Sequence, residues 1–383
     1  MRRGRGEMTK VGVIGAGNIA KFVHVPGYQR CSSAEVVAVC DSSKERAAAF
    51  AKEFGIKGVY TDYKEMLDQK ELDAVSICTP TYLHYPIVME AVKKGKHILC
   101  EKPMGINYAK VQEMYQAVKK AKLKNMVAYT YRFVPAIRYA KYLIEKGYIG
   151  EVRQFRSLYL FGGEGLGWWG WRSNAREGGP GGVLFDLGSH LIDFARYLVG
   201  EIREVCGYGK IFEKEKKVPN TGEIRKADTF DACVFLAEFV NGATGAFETS
   251  WVASGRRSGE RIGKADYQHI EINGTKGNII YYLKKPNELQ ISSGDLLFEN
   301  DQIVTIPVPE NFLKLSGAAR DIRADESVIG FRYDQAFAFI NGIAKDEEVT
   351  PGFYDGLICQ KVLDAVLISA KGKRWVKVER EGG

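Results

Sequence analysis

The chain has 383 residues, of which 45% are hydrophobic and 27% are charged, so it is a globular protein with length for two ordinary domains. Its net charge of +8 is mild, and its basic residues are not interleaved with aromatics on one face, which argues against a nucleic-acid partner. No apolar run approaches the ~18 residues of a membrane span, so no membrane association is expected.

The cysteines indicate a reducing compartment. All seven stand singly without a C-x-x-C pair, and several lie in apolar, strand-like runs. This pattern is typical of buried free thiols and offers no zinc-site spacing. The basic start, residues 1–10, lacks the apolar segment of a signal peptide. We therefore expect a cytoplasmic protein.

Over the first 130 residues, short β-branched runs alternate with helical patterns. Such alternation predicts a parallel sheet with helices on both faces. Gly55 and Gly95 are placed to end two of the helices. We predict an α/β Rossmann-type domain over residues 1–131. Its predicted strands are 10–15, 35–41, 73–80, 97–103 and 125–131.

After residue 131 the pattern changes, and residues 202–306 are mostly strand-like. Asn241-Gly242 lies between two such runs and predicts a hairpin turn. We predict a second domain, 132–383, with a largely antiparallel sheet and helices on one face. Its other predicted elements are helix 135–147, strand 151–161, a glycine- and tryptophan-rich loop at 162–182, and helices 183–199, 326–344 and 354–371.

A glycine motif follows the first predicted strand. Gly15, Gly17 and Ala20 form G-x-G-x-x-A between a strand and a helix, where backbone N–H groups can hold a pyrophosphate. The second strand ends in Asp41, which is suited to the adenosine ribose hydroxyls. The alternative is a turn without ligand, with Asp41 or Ser42 as a helix N-cap. The complete strand–turn–helix–strand–acid order favours dinucleotide binding.

The acid also bears on which dinucleotide binds. Asp41 would repel a 2′-phosphate, so NAD is favoured over NADP. Lys44 and Arg46 lie close in sequence and weaken this preference, which leaves NADP as an alternative.

A second motif, CEKPMG at residues 100–105, lies at the carboxyl end of the fifth strand, where open α/β sheets bind ligands. Proline holds Lys102 extended and allows a cis bond. Lys102 is placed to reach the nicotinamide end of a cofactor. Taken alone, it is also compatible with an ordinary surface lysine.

A third motif places two polar residues in an apolar helix. The stretch GGVLFDLGSHLID, residues 181–193, carries Asp186 and His190 four residues apart. At ~100° per residue, their side chains differ by about 40° around an α-helix and face the same way. This is either a buried pair, with His190 satisfied by Asp186, or a binding site. A metal site that adds Asp193 has no further ligands, so no metal is predicted.

With GVIGAGNIA, EKP and the D-x-x-x-H stretch in this order, the chain resembles the glucose–fructose oxidoreductase / inositol dehydrogenase (Gfo/Idh/MocA) family. The resemblance extends to TYRFVPA, residues 130–136, and to residues 355–378. It implies a Rossmann domain followed by an α/β domain with a large open sheet. It also implies NAD(P)-linked oxidation or reduction at a sugar or cyclitol carbon, and homodimers or homotetramers.

The resemblance also assigns catalytic roles. Lys102 matches the family's catalytic lysine, and Asp186 and His190 match its aspartate and histidine. His190 is expected to take the proton of a substrate hydroxyl as hydride leaves the same carbon. Lys102 would stabilise charge on that oxygen, and Asp186 would hold a neighbouring hydroxyl.

Further residues are expected around the cofactor and substrate. Trp171 and Arg172 resemble the family's W-R element, and Arg132 matches a position near the nicotinamide. The predicted cofactor-binding residues are Gly15, Gly17, Asn18, Ile19, Asp41, Thr79, Pro80, His84, Glu101, Lys102, Arg132, Trp171 and Arg172. The predicted substrate-binding residues are Lys102, Arg132, Trp171, Asn174, Asp186 and His190.

Several points stay open at this level. Trp168 and Trp169 either line the substrate pocket or pack an interface, and residues 250–261 either contribute polar groups or form a solvated loop. The favoured substrate is an inositol, an aldose or an anhydrosugar. A nucleotide-sugar (UDP-sugar) dehydrogenase is the rival enzyme, and an NAD-binding sugar sensor is a non-catalytic alternative that the retained catalytic residues disfavour. A diphosphate site for that rival would draw on Arg153, Arg156, Arg256 and Arg257.

Overall fold

The computed structural model describes residues 8–162, 167–253, 255–257, 260–262, 267–293, 303–323 and 327–378. The chain forms two compact units. The first comprises Met1–Gly105, Ala109–Phe133 and Lys314–Leu357, and the second comprises Ile106–Tyr108, Val134–Leu313 and Ile358–Gly383. Among the described helices, none combines the length and the apolar character needed to cross a membrane.

The first unit contains the predicted parallel sheet. Its strands are β1 (Thr9–Ile14), β2 (Ala34–Cys40), β3 (Gly58–Tyr60), β4 (Ala74–Ile77), β5 (His97–Cys100) and β6 (Asn125–Val127). Their order is β3-β2-β1-β4-β5-β6, the doubly wound arrangement that places a ligand crevice at the carboxyl ends beside β1 and β4. The three-residue β3 was not predicted, because so short a run carries no periodicity.

Helices connect these strands. They are α1 (Val25–Gln29), preceded by a π-helical turn (Ala20–His24), and α2 (Lys44–Phe54), α3 (Tyr63–Leu67), α4 (His84–Lys93) and α5 (Tyr108–Ala121). Gly55 ends α2 in the left-handed conformation at φ 70°, and Gly95 follows α4 at φ 68°, as predicted. The central strands β1 and β4 are buried on both faces; Val13 of β1 and Val75 of β4 are fully buried.

The second unit is built on a mixed sheet of nine strands in the order β18-β17-β16-β15-β7-β12-β11-β8-β19. Only β7 and β12 pair in parallel, so the predicted mostly antiparallel sheet is confirmed. Its strands are β7 (Val152–Leu160), β8 (Ile202–Lys210), β11 (Ala232–Phe239), β12 (Thr244–Ser250), β15 (Tyr267–Gly274), β16 (Gly277–Tyr282), β17 (Glu288–Ser293), β18 (Val304–Pro307) and β19 (Val376–Lys377). Two small ribbons are β9 (Glu215–Lys217) with β10 (Ile224–Lys226) and β13 (Gly255–Arg257) with β14 (Glu260–Ile262).

One face of this sheet forms the core of the second unit. In β7, Phe155, Ser157 and Tyr159 are buried whereas Arg156 is exposed, which is the alternation expected of a strand covered on one face. The predicted hairpin at Asn241-Gly242 joins β11 to β12. The helices of this region are α6 (Pro135–Glu145), α7 (Ala175–Gly178) and α8 (Ser189–Leu198), with a π-helical turn (Leu184–Gly188) directly before α8.

The structure divides the chain differently from the single predicted boundary at residues 131/132. Residues 314–357, with α9 (Ser327–Gly330) and α10 (Asp334–Lys345), belong to the first unit. The reason is hydrophobic packing, because Phe339 and Ile340 of α10 lie in the same buried cluster as Val11 and Leu99. The last helix, α11 (Phe353–Gly372), starts among residues of the first unit and ends among those of the second.

Candidate active site

The glycine turn after β1 is open to a ligand. Gly15 has a φ of 99°, and a Cβ there would lie 2.7 Å from the carbonyl oxygen of Cys78, so the turn requires glycine. Gly17 has no atom within 4 Å of an added Cβ, and Gly17 and Asn18 are exposed while Ile19 is half-buried. The backbone N–H groups at this helix start are therefore accessible to a pyrophosphate.

Asp41 lies beside this turn at the end of β2. Its carboxylate accepts the N–H groups of Ala16 (3.0 Å) and Ser43 (2.9 Å) and a side-chain bond from Arg46 (2.7 Å). Burial raises the pKa of Asp41, but these hydrogen bonds outweigh it and bring the pKa below its ordinary value. The N-cap of α2 is Ser43, not Asp41 or Ser42, because the Ser43 hydroxyl accepts the Arg46 N–H. Asp41 is thus an ionised acceptor fixed next to the glycine turn.

Lys102 lies in a tight turn that follows β5. It is half-buried, and its peptide bond to Pro103 is cis. The neighbouring Glu101 is buried; its carboxylate accepts the Lys102 N–H (3.1 Å) and lies 2.9 Å from Nε2 of His24. Glu101 therefore supports the turn from within the unit. Thr79 and Pro80, at the end of β4, are half-buried.

Two predicted cofactor residues, His84 and Arg132, have contacts within the first unit. His84 is almost fully buried, and its ring nitrogens lie 3.1 Å and 3.0 Å from the carbonyl oxygens of Pro103 and Thr79. Arg132 is also buried and pairs with Asp355 at 2.9 Å. His84 thus contacts two backbone carbonyl groups and Arg132 an acidic side chain within the first unit, and both residues stay predicted cofactor ligands.

In the second unit, the structure brings three predicted residues together. Arg172 Nε lies 3.2 Å from Asp186 Oδ2, and the Arg172 guanidinium lies 4.2 Å from the centre of the Trp171 ring. Asp186 sits in the π-helical turn Leu184–Gly188, so the α-helical angle of the sequence argument does not apply to it. His190 lies in α8, is buried, and has its ring 6.2 Å from that of Tyr159.

The segment that carries Trp171 and Arg172 is fixed by residues 213–231. The Trp169 N–H donates to the Lys217 carbonyl (2.8 Å), and the Thr229 hydroxyl donates to the Arg172 carbonyl (2.9 Å). Trp168 is 50% exposed. These contacts hold the loop from one side and were not predicted from sequence. Residues 163–166 of the predicted loop lie outside the described part of the structure.

Asn174, a predicted substrate ligand, also has a structural contact. Its side-chain oxygen accepts the Arg176 N–H (2.9 Å), and its amide nitrogen donates to Glu177 (3.1 Å). Asparagine is a favoured N-cap residue, and here it caps α7.

Sequence reasoning missed His24, Ser76 and Tyr159. The available signal for His24 was a histidine inside the apolar stretch KFVHVPG that follows the glycine motif. Ser76 and Tyr159 had no such signal, since each stands in an ordinary strand. No described cluster of three or more His, Cys, Asp or Glu side chains is arranged to hold a metal ion. In the predicted 250–261 segment, the side chains of residues 254–261, which include Arg256 and Arg257, lie outside the described part of the structure.

Comparison with known proteins covers both units. Residues 9–129 match the family described as "Oxidoreductase family, NAD-binding Rossmann fold", and residues 137–280 match the "GFO/IDH/MocA C-terminal domain". The chain is 31% identical to levoglucosan dehydrogenase of Pseudarthrobacter phenanthrenivorans over 89% of its length and 88% of the relative. It is 28% identical to myo-inositol 2-dehydrogenase of Thermotoga maritima over 70% of its length and 74% of the relative. The solved structure of levoglucosan dehydrogenase in complex with NADH and levoglucosan superposes with a TM-score of 0.88 and 28% identity, covering 98% of this chain and 100% of that one.

Proposed function

The chain belongs to the GFO/IDH/MocA oxidoreductase family, and we propose that it oxidises a secondary hydroxyl of a neutral sugar or cyclitol ring with NAD. It is an NAD-dependent CH–OH dehydrogenase. Its relatives include proteins named levoglucosan dehydrogenase, myo-inositol 2-dehydrogenase and D-glucoside 3-dehydrogenase. Within this class, we propose that an uncharged ring, such as an anhydrosugar, a glycoside or an inositol, is the substrate.

The first unit fits NAD. The glycine turn leaves accessible N–H groups for the pyrophosphate, and Asp41 supplies a fixed, ionised acceptor for ribose hydroxyls. A carboxylate there also disfavours a 2′-phosphate, which supports NAD over NADP. When bound, NAD supplies the hydride acceptor at its nicotinamide.

The remaining chemistry is proposed for side chains of the chain. His190 accepts the proton of the reacting hydroxyl, which allows the carbon–oxygen double bond to form. Lys102 donates a hydrogen bond to the same oxygen and stabilises the charge that develops on it. Asp186 accepts a hydrogen bond from a neighbouring hydroxyl, with its carboxylate oriented by Arg172. In the reverse direction, His190 returns the proton.

The observation that carries the neutral substrate is the Arg172–Asp186 ion pair at 3.2 Å. Because the guanidinium charge next to the D-x-x-x-H motif is already balanced, this part of the site suits hydroxyl groups better than a phosphate. The rival UDP-sugar substrate needs unpaired cations, and one of its candidates, Arg156, is paired with Glu271 at 2.8 Å. Arg156 and Tyr159 are three residues apart in β7, so their side chains lie on opposite faces of the sheet. The Tyr159 ring lies near His190, and Arg156 therefore lies on the face away from His190.

A substrate panel tests the proposal. Purified protein with NAD would be mixed with levoglucosan, a methyl glucoside, myo-inositol, glucose 6-phosphate and UDP-glucose, and reduced nicotinamide would be followed by its near-ultraviolet absorbance. We expect the highest kcat/KM for one of the three neutral rings. A higher kcat/KM for either phosphorylated compound would contradict the neutral-ring proposal.

We also propose that the chain forms a homo-oligomer through the outer face of its large sheet. Tyr208 of β8 and Val234 of β11 pair in register and are 54% and 47% exposed, and Leu236 beside them is 52% exposed. Contiguous exposed apolar side chains mark association surfaces. Light scattering should give a dimer or tetramer that Leu236→Glu converts towards monomer; a monomeric native protein would refute this. All seven cysteines lie in the described part of the structure and none forms a disulfide, which supports a cytoplasmic location.

A further inference from the structure

A chain of buried hydrogen bonds runs to the Lys102 turn. Tyr28 Oη lies 2.7 Å from Ser76 Oγ, and Ser76 Oγ lies 3.1 Å from Nδ1 of His24. Nε2 of His24 lies 2.9 Å from Glu101, whose second carboxylate oxygen accepts the Lys102 N–H at 3.1 Å. The four residues whose side chains form this hydrogen-bonded series, Tyr28, Ser76, His24 and Glu101, are each at least nine-tenths buried. The chain therefore links α1, β4 and the turn after β5.

Chemistry defines the direction of the hydrogen bond between His24 and Glu101. Burial raises the pKa of Glu101, but the bond and charge of His24 and the neighbouring Lys102 outweigh it, so the pKa of Glu101 lies below its ordinary value. An ionised carboxylate only accepts, so His24 Nε2–H donates to Glu101. Burial raises the pKa of Tyr28, so its hydroxyl keeps its proton. Ser76 Oγ lies within hydrogen-bonding distance of both Tyr28 Oη and His24 Nδ1 and so joins the two side chains.

The π-helical turn Ala20–His24 contributes to this placement. It contains one residue more per turn than an α-helix, and the Val25 N–H bonds to the Ala20 carbonyl five residues back. His24, the last residue of this turn, faces the carboxyl end of β4 and β5, as its contacts with Ser76 and Glu101 show. π-Turns of this kind are frequent at functional sites.

The other side of the Lys102 turn is already held by backbone contacts. His84 lies within hydrogen-bonding distance of the Pro103 and Thr79 carbonyls, and the Glu101 N–H donates to the Ile77 carbonyl. With these points fixed, the Glu101 carboxylate determines the direction of the Lys102 peptide N–H. His24 in turn determines the orientation of that carboxylate.

We propose that His24 is a positioning residue for Lys102, acting through Glu101. The inference rests on the proposed function, in which Lys102 contacts the reacting oxygen. His24 is 1% exposed, so the proposed role is an indirect one. Its contribution is to hold the turn so that the Lys102 side chain starts from one backbone conformation.

Two amide substitutions separate the two contacts of His24. His24→Gln keeps a donor close to the position of Nε2 and so retains the bond to Glu101. His24→Asn keeps a group near Nδ1 and loses the bond to Glu101. Both variants have the same chemistry and remove the same ring, so their difference reports the Glu101 contact.

The first readout uses the protein without ligands. Hydrogen exchange of the Lys102 amide, resolved by fragmentation mass spectrometry, should accelerate about 10- to 100-fold in His24→Asn, the equilibrium factor for a hydrogen bond to a charged group. It should stay near the wild-type rate in His24→Gln. If His24→Asn folds poorly, Ser76→Ala tests the same hydrogen-bonded series, because Ser76 contacts the ring nitrogen of His24 that faces away from Glu101. In this variant the exchange of the Lys102 amide should accelerate less than in His24→Asn.

The second readout is kinetic. His24→Asn should lower kcat by about 100-fold, as a displaced catalytic group does, while the NADH dissociation constant from nicotinamide fluorescence stays unchanged. Arg320→Met, which breaks a buried ion pair with Asp334 elsewhere in the same unit, controls for general destabilisation and should lower Tm without lowering kcat.

The outcomes are distinct. Unchanged Lys102 exchange in an active His24→Asn variant, or wild-type kcat in a variant with accelerated exchange, would overturn the positioning role. A wild-type protein without turnover on any neutral ring would overturn the proposed function instead. Equal kcat losses in His24→Asn and His24→Gln would also overturn the inference, because the Glu101 contact would then not matter.

Discussion

Replacing Asp41 by asparagine should change the cofactor preference. In the native protein, the Asp41 carboxylate holds the Arg46 guanidinium through bonds of 2.7 Å and 3.1 Å to one oxygen. Asparagine is isosteric and keeps an oxygen acceptor for the Ala16 N–H, but it removes the negative charge. Arg46 is then available to a 2′-phosphate, and the repulsion between carboxylate and phosphate is lost.

The size of the effect follows from the exposure of the pair. A hydrogen bond to a charged group contributes about 1.5–3 kcal/mol. Because the Arg46 side chain is 64% exposed, we take the lower end, about 1.5 kcal/mol, which is roughly tenfold in affinity. Loss of the anionic acceptor for the ribose hydroxyls should weaken NADH by a similar factor. The ratio of NADPH to NADH affinity is therefore expected to rise about 100-fold.

Nicotinamide fluorescence titration measures both dissociation constants without a substrate. The matched control is Asp41→Asn combined with Arg46→Ala, which removes the released guanidinium. We expect the double variant to lose the tenfold gain in NADPH affinity and to keep the loss in NADH affinity. Equal NADPH affinity in the single and double variants would refute the reasoning about Arg46.

Three further outcomes are expected. Lys102→Met and His190→Asn should each lower kcat by about 10²- to 10⁴-fold with unchanged NADH affinity, and wild-type turnover in either, measured in the substrate assay, would contradict its catalytic role. Arg172→Lys keeps the charge but loses the planar contacts with Asp186 and Trp171, so KM for the sugar should rise about tenfold; an unchanged KM would exclude Arg172 from substrate positioning. Burial raises the pKa of Asp364 in the folded state, so its contribution to stability is favourable below the unfolded pKa of about 4 and is lost as pH rises through the folded pKa. Urea unfolding at several pH values should therefore show Asp364→Asn gaining stability relative to the native protein as pH rises, and a constant difference would contradict this assignment.

The parallel sheet and its glycine turn were predictable because their signals are local. β-Branched runs, C-terminal glycines and the G-x-G-x-x-A spacing each depend on residues within one element. The position of residues 314–357 was not predictable, because both units contain apolar helices of similar pattern. Only the packing of Phe339 against residues such as Val11, more than 300 positions apart in sequence, decides the unit to which α10 belongs.

The candidate site was predictable in its motif residues and not in the contacts that hold them. Asn174 and His84 are polar residues near motifs. Sequence alone does not show whether such a residue binds a ligand, caps a helix or forms hydrogen bonds with the backbone. The structure adds contacts that the sequence did not indicate, because Asn174 caps α7 and His84 lies within hydrogen-bonding distance of two carbonyl groups. Likewise, the i, i+4 spacing predicted that Asp186 and His190 face the same way, but it gave no sign of the Arg172–Asp186 ion pair that the structure shows.

The backbone at Asp186 shares one feature with the backbone at His24. A π-helical turn advances less per residue than an α-helix and so shifts the phase of every side chain after it. Both π-turns of the described chain, Ala20–His24 and Leu184–Gly188, contain a polar residue with a specific partner: Glu101 for His24 and Arg172 for Asp186. Sequence periodicity assumes a regular α-helix at both positions, so it gave no indication of either contact.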